Sequence, residues 1–211
     1  DGYFLLADAF HDAFLESGIA GAPQVVVEEA EARREMPVSE VDRWLGEYKA
    51  AKIRAGWPFA DGRREPALPP AQTEGERLAQ LLYAERIDWP GAQDALRRHY
   101  AAIGDAAGHA AVTQILADAF PAAARLQFEA AAALVGLGRP LEALRYARRA
   151  REWQPGAVDP WLVTGHALAL LGRDGAAREA LGKALEIEPG NATARAALAA
   201  LAARAGASGA P

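Results

Sequence analysis

From about residue 90 onward apolar and polar positions follow the period of amphipathic helices, and the predicted helices come in pairs. Laid on itself at a shift of 34, the chain superposes Gly104, Gly138 and Gly172, and likewise Pro121, Pro155 and Pro189. In the last two copies Leu134 falls on Leu168, Arg139 on Arg173, Ala143 on Ala177 and Ala150 on Ala184. A fixed period in this range marks a stacked helical repeat. Each unit reads as an apolar-periodic run, a glycine that ends it by tolerating positive φ, a second run rich in small residues, and a proline that stops it. The units span about 90–123, 124–157 and 158–191.

The small residues have a packing reason. Gly165 and Ala131 in first helices are expected to face Ala177 and Ala143 in second helices, where short side chains let the axes approach closely. Ala150 and Ala184 should do the same toward the next unit. Gly190 and Asn191 can cap a last helix over 192–205, which covers the open face of the final repeat, and 206–211 is a frayed tail. The first unit is degenerate, with His109 in the place of Ala143 and Ala177 and Arg98 where a small residue is expected, so its seam should be looser.

Upstream the texture changes. Leu78, Leu81, Leu82 and Ile87 have helical spacing, which predicts a helix over 73–87, with Trp89-Pro90 turning into the first unit. A proline-rich stretch over 57–72 separates the array, 73–205, from an irregular helical N-terminal segment, 1–56. Within that segment Tyr3, Leu6, Phe10 and Phe14 share a face of a helix over 1–17, stopped by Gly18 and Gly21-Ala22-Pro23. A second helix starts at Ser39, a good cap residue, and runs to about Ala55 with Val41, Leu45, Tyr48 and Ile53 as its apolar positions.

Composition narrows the function classes. With 51% hydrophobic residues in 211, the chain can bury a core, and disorder is not expected for most of it. A net charge of −5 gives no global basic field for nucleic acid or anionic lipid, so no nucleic-acid partner is expected. The longest apolar run, 161–171, is far short of a membrane span. Cysteine is absent, which removes disulfides, thiolate metal sites and cysteine nucleophiles. Arginine far outnumbers lysine (Lys49, Lys52 and Lys183 only) and alanine dominates the second half, as in proteins from GC-rich bacterial genomes. The compartment, bacterial cytoplasm or envelope, stays open.

The candidate chemistry is sparse. His99 and His109 flank the Gly104 turn and could approach one another as half of a zinc site, but no third ligand accompanies them. His11 lies beside Asp8 and Asp12 in a pattern typical of solvated helix faces. Arg145, Arg148, Arg149 and Arg151 form a basic cluster, interleaved with Glu142 and Glu152 at salt-bridge spacing, which predicts a solvated outer face. Glu28, Glu29, Glu31 and Glu35 form an acidic run with no partner group placed by sequence. No phosphate-binding loop, serine-nucleophile motif or EF-hand loop is present, so no catalytic, metal or cofactor residue is assigned and no cofactor is expected.

The last unit carries Trp161-x2-Thr164-Gly165-x2-Leu168, then Ala177-x3-Leu181, Ala184 and Pro189, and so resembles the tetratricopeptide repeat (TPR). It departs from that pattern at Thr164, where leucine is usual. The resemblance implies an all-α fold of antiparallel helix pairs stacked as a right-handed superhelix, a non-catalytic protein-interaction scaffold whose first helices line a concave groove. In this sequence the groove would be lined by Asp94, Arg98, Arg125, Phe128, Val135, Asp159, Leu162, His166 and Leu170, and its partner would be a protein or peptide segment, or the chain's own upstream domain. The Lys and Asn pairs by which chaperone-binding members clamp a terminal carboxylate are missing.

The opening stretch, Asp1-Gly2-Tyr3-Phe4-Leu5-Leu6-Ala7-Asp8-Ala9-Phe10, is similar to the last helix of SGNH/GDSL-type hydrolases, and Trp57-Pro58-Phe59 is similar to the joining segment in fusions of that domain to a TPR tail. This implies that the chain is the C-terminal part of a larger esterase or acyl-hydrolase, possessing none of its Ser, Asp and His, and placed on the periplasmic side. A free-standing TPR adaptor, or the TPR tail of a glycosyl- or sulfotransferase, are the other readings.

Overall fold

The computed structural model describes residues 37–56 and 68–208, together with Ala9, Phe10, Ala13, Glu16 and Ser17. Two compact units are present, Asp1–Met36 and Pro37–Pro211. In the first, Ala9, Phe10, Ala13 and Glu16 are helical and Phe10 is exposed. Tyr3, Leu6, Phe14 and most of the stretch similar to a hydrolase helix lie outside the described residues, as does 57–67.

The second unit holds nine helices among the described residues and no strand, so the all-α expectation is met. They are α1 Glu40–Gly56, α2 Glu74–Tyr83, α3 Trp89–Ile103, α4 Ala106–Ala119, α5 Ala124–Gly136, α6 Pro140–Trp153, α7 Asp159–Leu170, α8 Asp174–Ile187 and α9 Ala192–Ser208. Each packs on the next as antiparallel pairs in a stack, and first helices also touch across pairs: α1 on α3, α5 on α7, α7 on α9.

The turn inside three of the pairs is one motif repeated. Gly104, Gly138 and Gly172 have φ of 76°, 68° and 70°. In each case the next residue's N–H reaches back to a carbonyl in the helix: Asp105 to Tyr100, Arg139 to Leu134 and Arg173 to Leu168, all at 2.9 Å. This is the left-handed helix termination that only glycine adopts without steric cost. It explains why glycine recurs in the 34-residue register.

Small residues close the pairs as the register requires. Ala131, Ala143, Ala150, Ala177 and Ala184 are fully buried. A Cβ added at Gly165 would stand 2.6 Å from Leu181 Cγ and 3.4 Å from the Ala177 carbonyl oxygen, so α7 and α8 meet where no side chain fits. At His109, in the same register, the residue is only half-buried, and a cleft of about 260 Å³ opens along Tyr100, Gly104 and His109.

Three features differ from the sequence pattern. The helix expected over 73–87 ends at Tyr83, because Glu85 takes a left-handed conformation with φ of 56° and Arg86 N–H bonds the Leu81 carbonyl at 2.9 Å. Trp89 and Pro90 open α3 instead of forming a turn. Asp88 caps that helix by accepting from Gly91 N–H at 2.8 Å, and a proline in the first turn lacks only an N–H that would go unpaired anyway. The last helix continues past residue 205 to Ser208, capped as expected by Asn191, whose Oδ1 accepts from Ala194 N–H at 2.9 Å.

Helix α1 is the larger difference. The sequence pattern assigns it to a separate N-terminal segment, whereas Val41 and Tyr48 share one buried cluster with Leu78, Leu96, Val112 and Leu116. Its N-terminus is a reciprocal cap, with Asp42 N–H donating to Ser39 Oγ at 3.1 Å and Ser39 N–H donating to Asp42 Oδ2 at 3.0 Å. The same carboxylate then accepts from two side chains of α3, Trp89 Nε1 at 2.6 Å and Gln93 Nε2 at 3.1 Å, and Gln93 Nε2 also reaches Ser39 Oγ at 2.8 Å. Toward α2, the Tyr48 hydroxyl donates to the buried Glu76 at 3.1 Å. Helix α1 is thus the first member of a pair with α2, joined across a span of sequence whose proline content suggested a boundary. Polar partners matched over long sequence separation have no periodic signature.

Candidate partner-binding site

Helices α3, α5 and α7 stand in equivalent places in successive pairs, and the residues expected to line a groove fall on them in register. Asp94, Phe128 and Leu162 are equivalent positions at the 34-residue shift, as are Arg98, Ala132 and His166, and also Arg125 and Asp159.

At the α3 end the structure uses the charged residues among themselves. Arg97 lies between two carboxylates, with Nη2 at 2.6 Å from Asp94 and Nη1 at 2.6 Å from Glu129 on α5. Arg98 joins Asp94 at 3.3 Å and Arg125 joins Glu129 at 2.8 Å. Burial alone would lower the Arg97 pKa; its hydrogen bond to Asp94 and the charges of Glu129 and Asp94 outweigh that and raise it. The result is a chain of three guanidiniums on two carboxylates that ties α3 to α5. Arg97 and Glu129 were not singled out by sequence. The spacings of Asp94 to Arg97 and of Arg125 to Glu129 signal pairs within a helix, but nothing in the sequence signals the pair between helices.

Beside this chain, a cleft of about 360 Å³ lies at the N-terminal ends of α5 and α7. Arg125 and Glu129 of α5 line it together with Gln154 and with Asp159 of α7, and Phe128 and Pro160 contribute apolar surface. Farther along α7, His166 is half-buried and Leu170 is 57% exposed.

Phe128, Leu162 and Val135 are shared with the core. They are half-buried, Phe128 and Val135 against the cluster of Ala130, Leu134 and Tyr146, and Leu162 against that of Ala177 and Leu181. Of the three, Phe128 also lines the cleft, so its side chain serves core and cleft at once. Leu170 is the exposed apolar residue of the predicted set.

The other sequence candidates resolve simply. His99 packs beside Tyr100, ring centroids 5.9 Å apart, and no cluster of three potential metal ligands occurs among the described residues. In the arginine cluster of α6, Arg149 pairs with Asp118 of the preceding unit at 2.7 Å, Arg148 with Glu152 at 3.7 Å, and Arg139 with Glu142 at 2.7 Å. Arg151 stacks over Trp161 at 4.4 Å, and burial lowers its pKa. This outer face matches the solvated, salt-laced surface expected of it, with Asp118 as the partner that sequence spacing did not reveal.

No family model matches the sequence, and no curated protein sequence does. Solved structures do. The first TPR domain of Spaghetti (RPAP3), bound to the HSP90 peptide SRMEEVD, has a TM-score of 0.50 at 19% identity, covering 54% of this chain and 90% of its own. The fold is that of tetratricopeptide domains. The second TPR domain of human RPAP3, in complex with an HSP70 peptide, has a TM-score of 0.48 at 20% identity over 52% of this chain and 91% of its own. The TPR domain of Arabidopsis OM64 has a TM-score of 0.48 at 22% identity over 52% and 90%. Among the described residues no helix is long and apolar enough to cross a membrane.

Proposed function

We propose that this TPR-fold array is a protein-interaction scaffold that holds an extended segment of a partner protein along the face formed by α3, α5 and α7. The observation that carries this reading is the cleft between α5 and α7, lined by charged groups and by apolar Phe128 and Pro160. A preformed concavity with a few placed polar groups is the usual form of a binding site. That the Spaghetti domain of the same fold holds a peptide agrees with it. The array acts by binding, through Asp94, Arg98, Arg125, Phe128, Asp159, Leu162, His166 and Leu170. In the finer form of the proposal it is the non-catalytic tail of an SGNH/GDSL-like hydrolase, a reading supported by the sequence of residues 1–10; a serine-nucleophile block and a terminal Asp-x-x-His in the reading frame before Asp1 would be its test.

The array-level reading is tested by paired surface changes. Leu170→Asp with Arg125→Asp should weaken capture of a partner about tenfold, whereas Leu141→Asp with Arg148→Asp on the exposed face of α6 should leave it unchanged. All four residues are exposed, so the fold survives either pair of changes. Equal loss from both pairs, or loss from the α6 pair alone, would remove the first-helix face from the account.

A further inference from the structure

We infer that the cleft between α5 and α7 selects a segment in which one acidic and one basic side chain flank an apolar one, a reading that rests on the proposed function above and names the chemistry of its partner. Arg125 is the first reason. Its side chain is 88% exposed, and its one side-chain hydrogen bond among the described residues uses Nε, donated to Glu129 Oε1 at 2.8 Å. Glu129 Oε2 is already taken by Arg97 at 2.6 Å, so the two carboxylates of the chain serve three guanidiniums, and its two ends, Arg98 and Arg125, are both exposed, Arg125 at the cleft. The two terminal nitrogens of Arg125 face solvent with the geometry that grips a carboxylate.

Arg125 is also badly placed for stability alone. It lies in the first turn of α5, which contains no acidic residue, and there the positive end of the helix dipole opposes a cation. A residue that breaks a local rule in this way is expected at a functional position.

Asp159 is the second reason. It lines the same cleft from the first turn of α7, is exposed, and forms no ion pair or side-chain hydrogen bond among the described residues. Arg125 and Asp159 thus border one cleft without pairing to each other, while Glu129, which also lines it, is engaged by Arg97 and Arg125. Phe128 and Pro160 give the same cleft apolar surface, and the exposed Gln154 amide can bond a passing backbone. A chain that places a carboxylate on Arg125, an aliphatic side chain on the apolar surface and a cation on Asp159 satisfies all three at once. A wholly acidic segment would set a like charge against Asp159, and that repulsion is the source of selectivity.

The test uses the whole chain and four short acetylated, amidated peptides in a Gly-Ser background, with central triads Glu-Leu-Arg, Glu-Leu-Glu, Arg-Leu-Arg and Gln-Leu-Gln. At low salt Glu-Leu-Arg should bind about fivefold tighter than each of the others, with the margin shrinking as salt rises. Asp159→Arg should transfer the preference to Glu-Leu-Glu, and Arg125→Glu should transfer it to Arg-Leu-Arg. Equal binding of all four, preferences that the two variants leave in place, or no binding of any at millimolar peptide would overturn the inference. Ala157→Trp, which fills the cleft, separates the two levels of the argument. If charge preference is absent but this change abolishes binding, the binding face stands and its charge selectivity falls; if binding is indifferent to it, both fall.

Discussion

Replacing Tyr146 with alanine is expected to cost about 3–5 kcal/mol, the usual range for deleting a buried aromatic side chain. A domain whose whole stability is about 5–15 kcal/mol would then be close to unfolding at ambient temperature. Among the described residues Tyr146 is the largest fully buried side chain, set among Ala131, Leu134, Ala143 and Ala147 where α4, α5 and α6 meet. Its hydroxyl donates to Asp118 at 2.9 Å and accepts from Arg145 at 2.8 Å. Tyr146→Phe keeps the packing and should cost about 1.5–3 kcal/mol, the usual worth of hydrogen bonding to a charged partner. The two variants also differ at high pH. Burial first, and then Asp118, raise the hydroxyl above its ordinary value of 10.0. A raised pKa in the folded state means the stabilisation is complete below that value and is lost as pH rises through the folded pKa. Tyr146→Phe should therefore lose part of the alkaline dependence of the melting temperature. Thermal denaturation of the three proteins at neutral and alkaline pH checks all of this.

The second large effect is expected at the other end of the stack. Asp42→Ala removes the acceptor for Trp89 Nε1, Gln93 Nε2 and the Ser39 N–H and hydroxyl. Leaving such groups unpaired in a half-buried seam costs about 1–3 kcal/mol for each that water does not reach. The loss should be local, because in a stack each pair is supported by its neighbours only. Hydrogen exchange is expected to show α1 and the start of α3 opening more readily, with protection in α5 to α8 unchanged. Uniform loss of protection along the whole chain would mean that α1 does not form a separable first pair.

These two sites also show what sequence reading reaches and where it stops. The surroundings of Tyr146 were legible because they repeat: Ala143 with Ala177 and Gly138 with Gly172 recur at one period, and recurrence reports a packing requirement without reference to partners. The α1 seam was not legible, since Ser39, Asp42, Trp89 and Gln93 each occur once and acquire meaning only when the fold brings them together. At the candidate site the same division holds. The helices that would carry the face followed from the period, and the residues proposed for it from the resemblance to tetratricopeptide repeats. The chain from Asp94 through Arg97 and Glu129 to Arg125 did not, because its middle contact joins helices from different units. The half-burial of Phe128 and Leu162 was not legible either, because hydrophobic periodicity locates a stripe but not how far its edges turn into the core.

The claim that a partner lies on the first-helix face is tested most directly by where it touches. A photo-activatable benzophenone side chain at Ala132 or Leu170, both exposed on that face, should cross-link a bound partner, while the same group at Leu141 or Glu152 on the exposed side of α6 should not. Cross-links confined to Ala132 and Leu170 are the predicted result; cross-links from Leu141 and Glu152, with none from Ala132 or Leu170, would contradict the account.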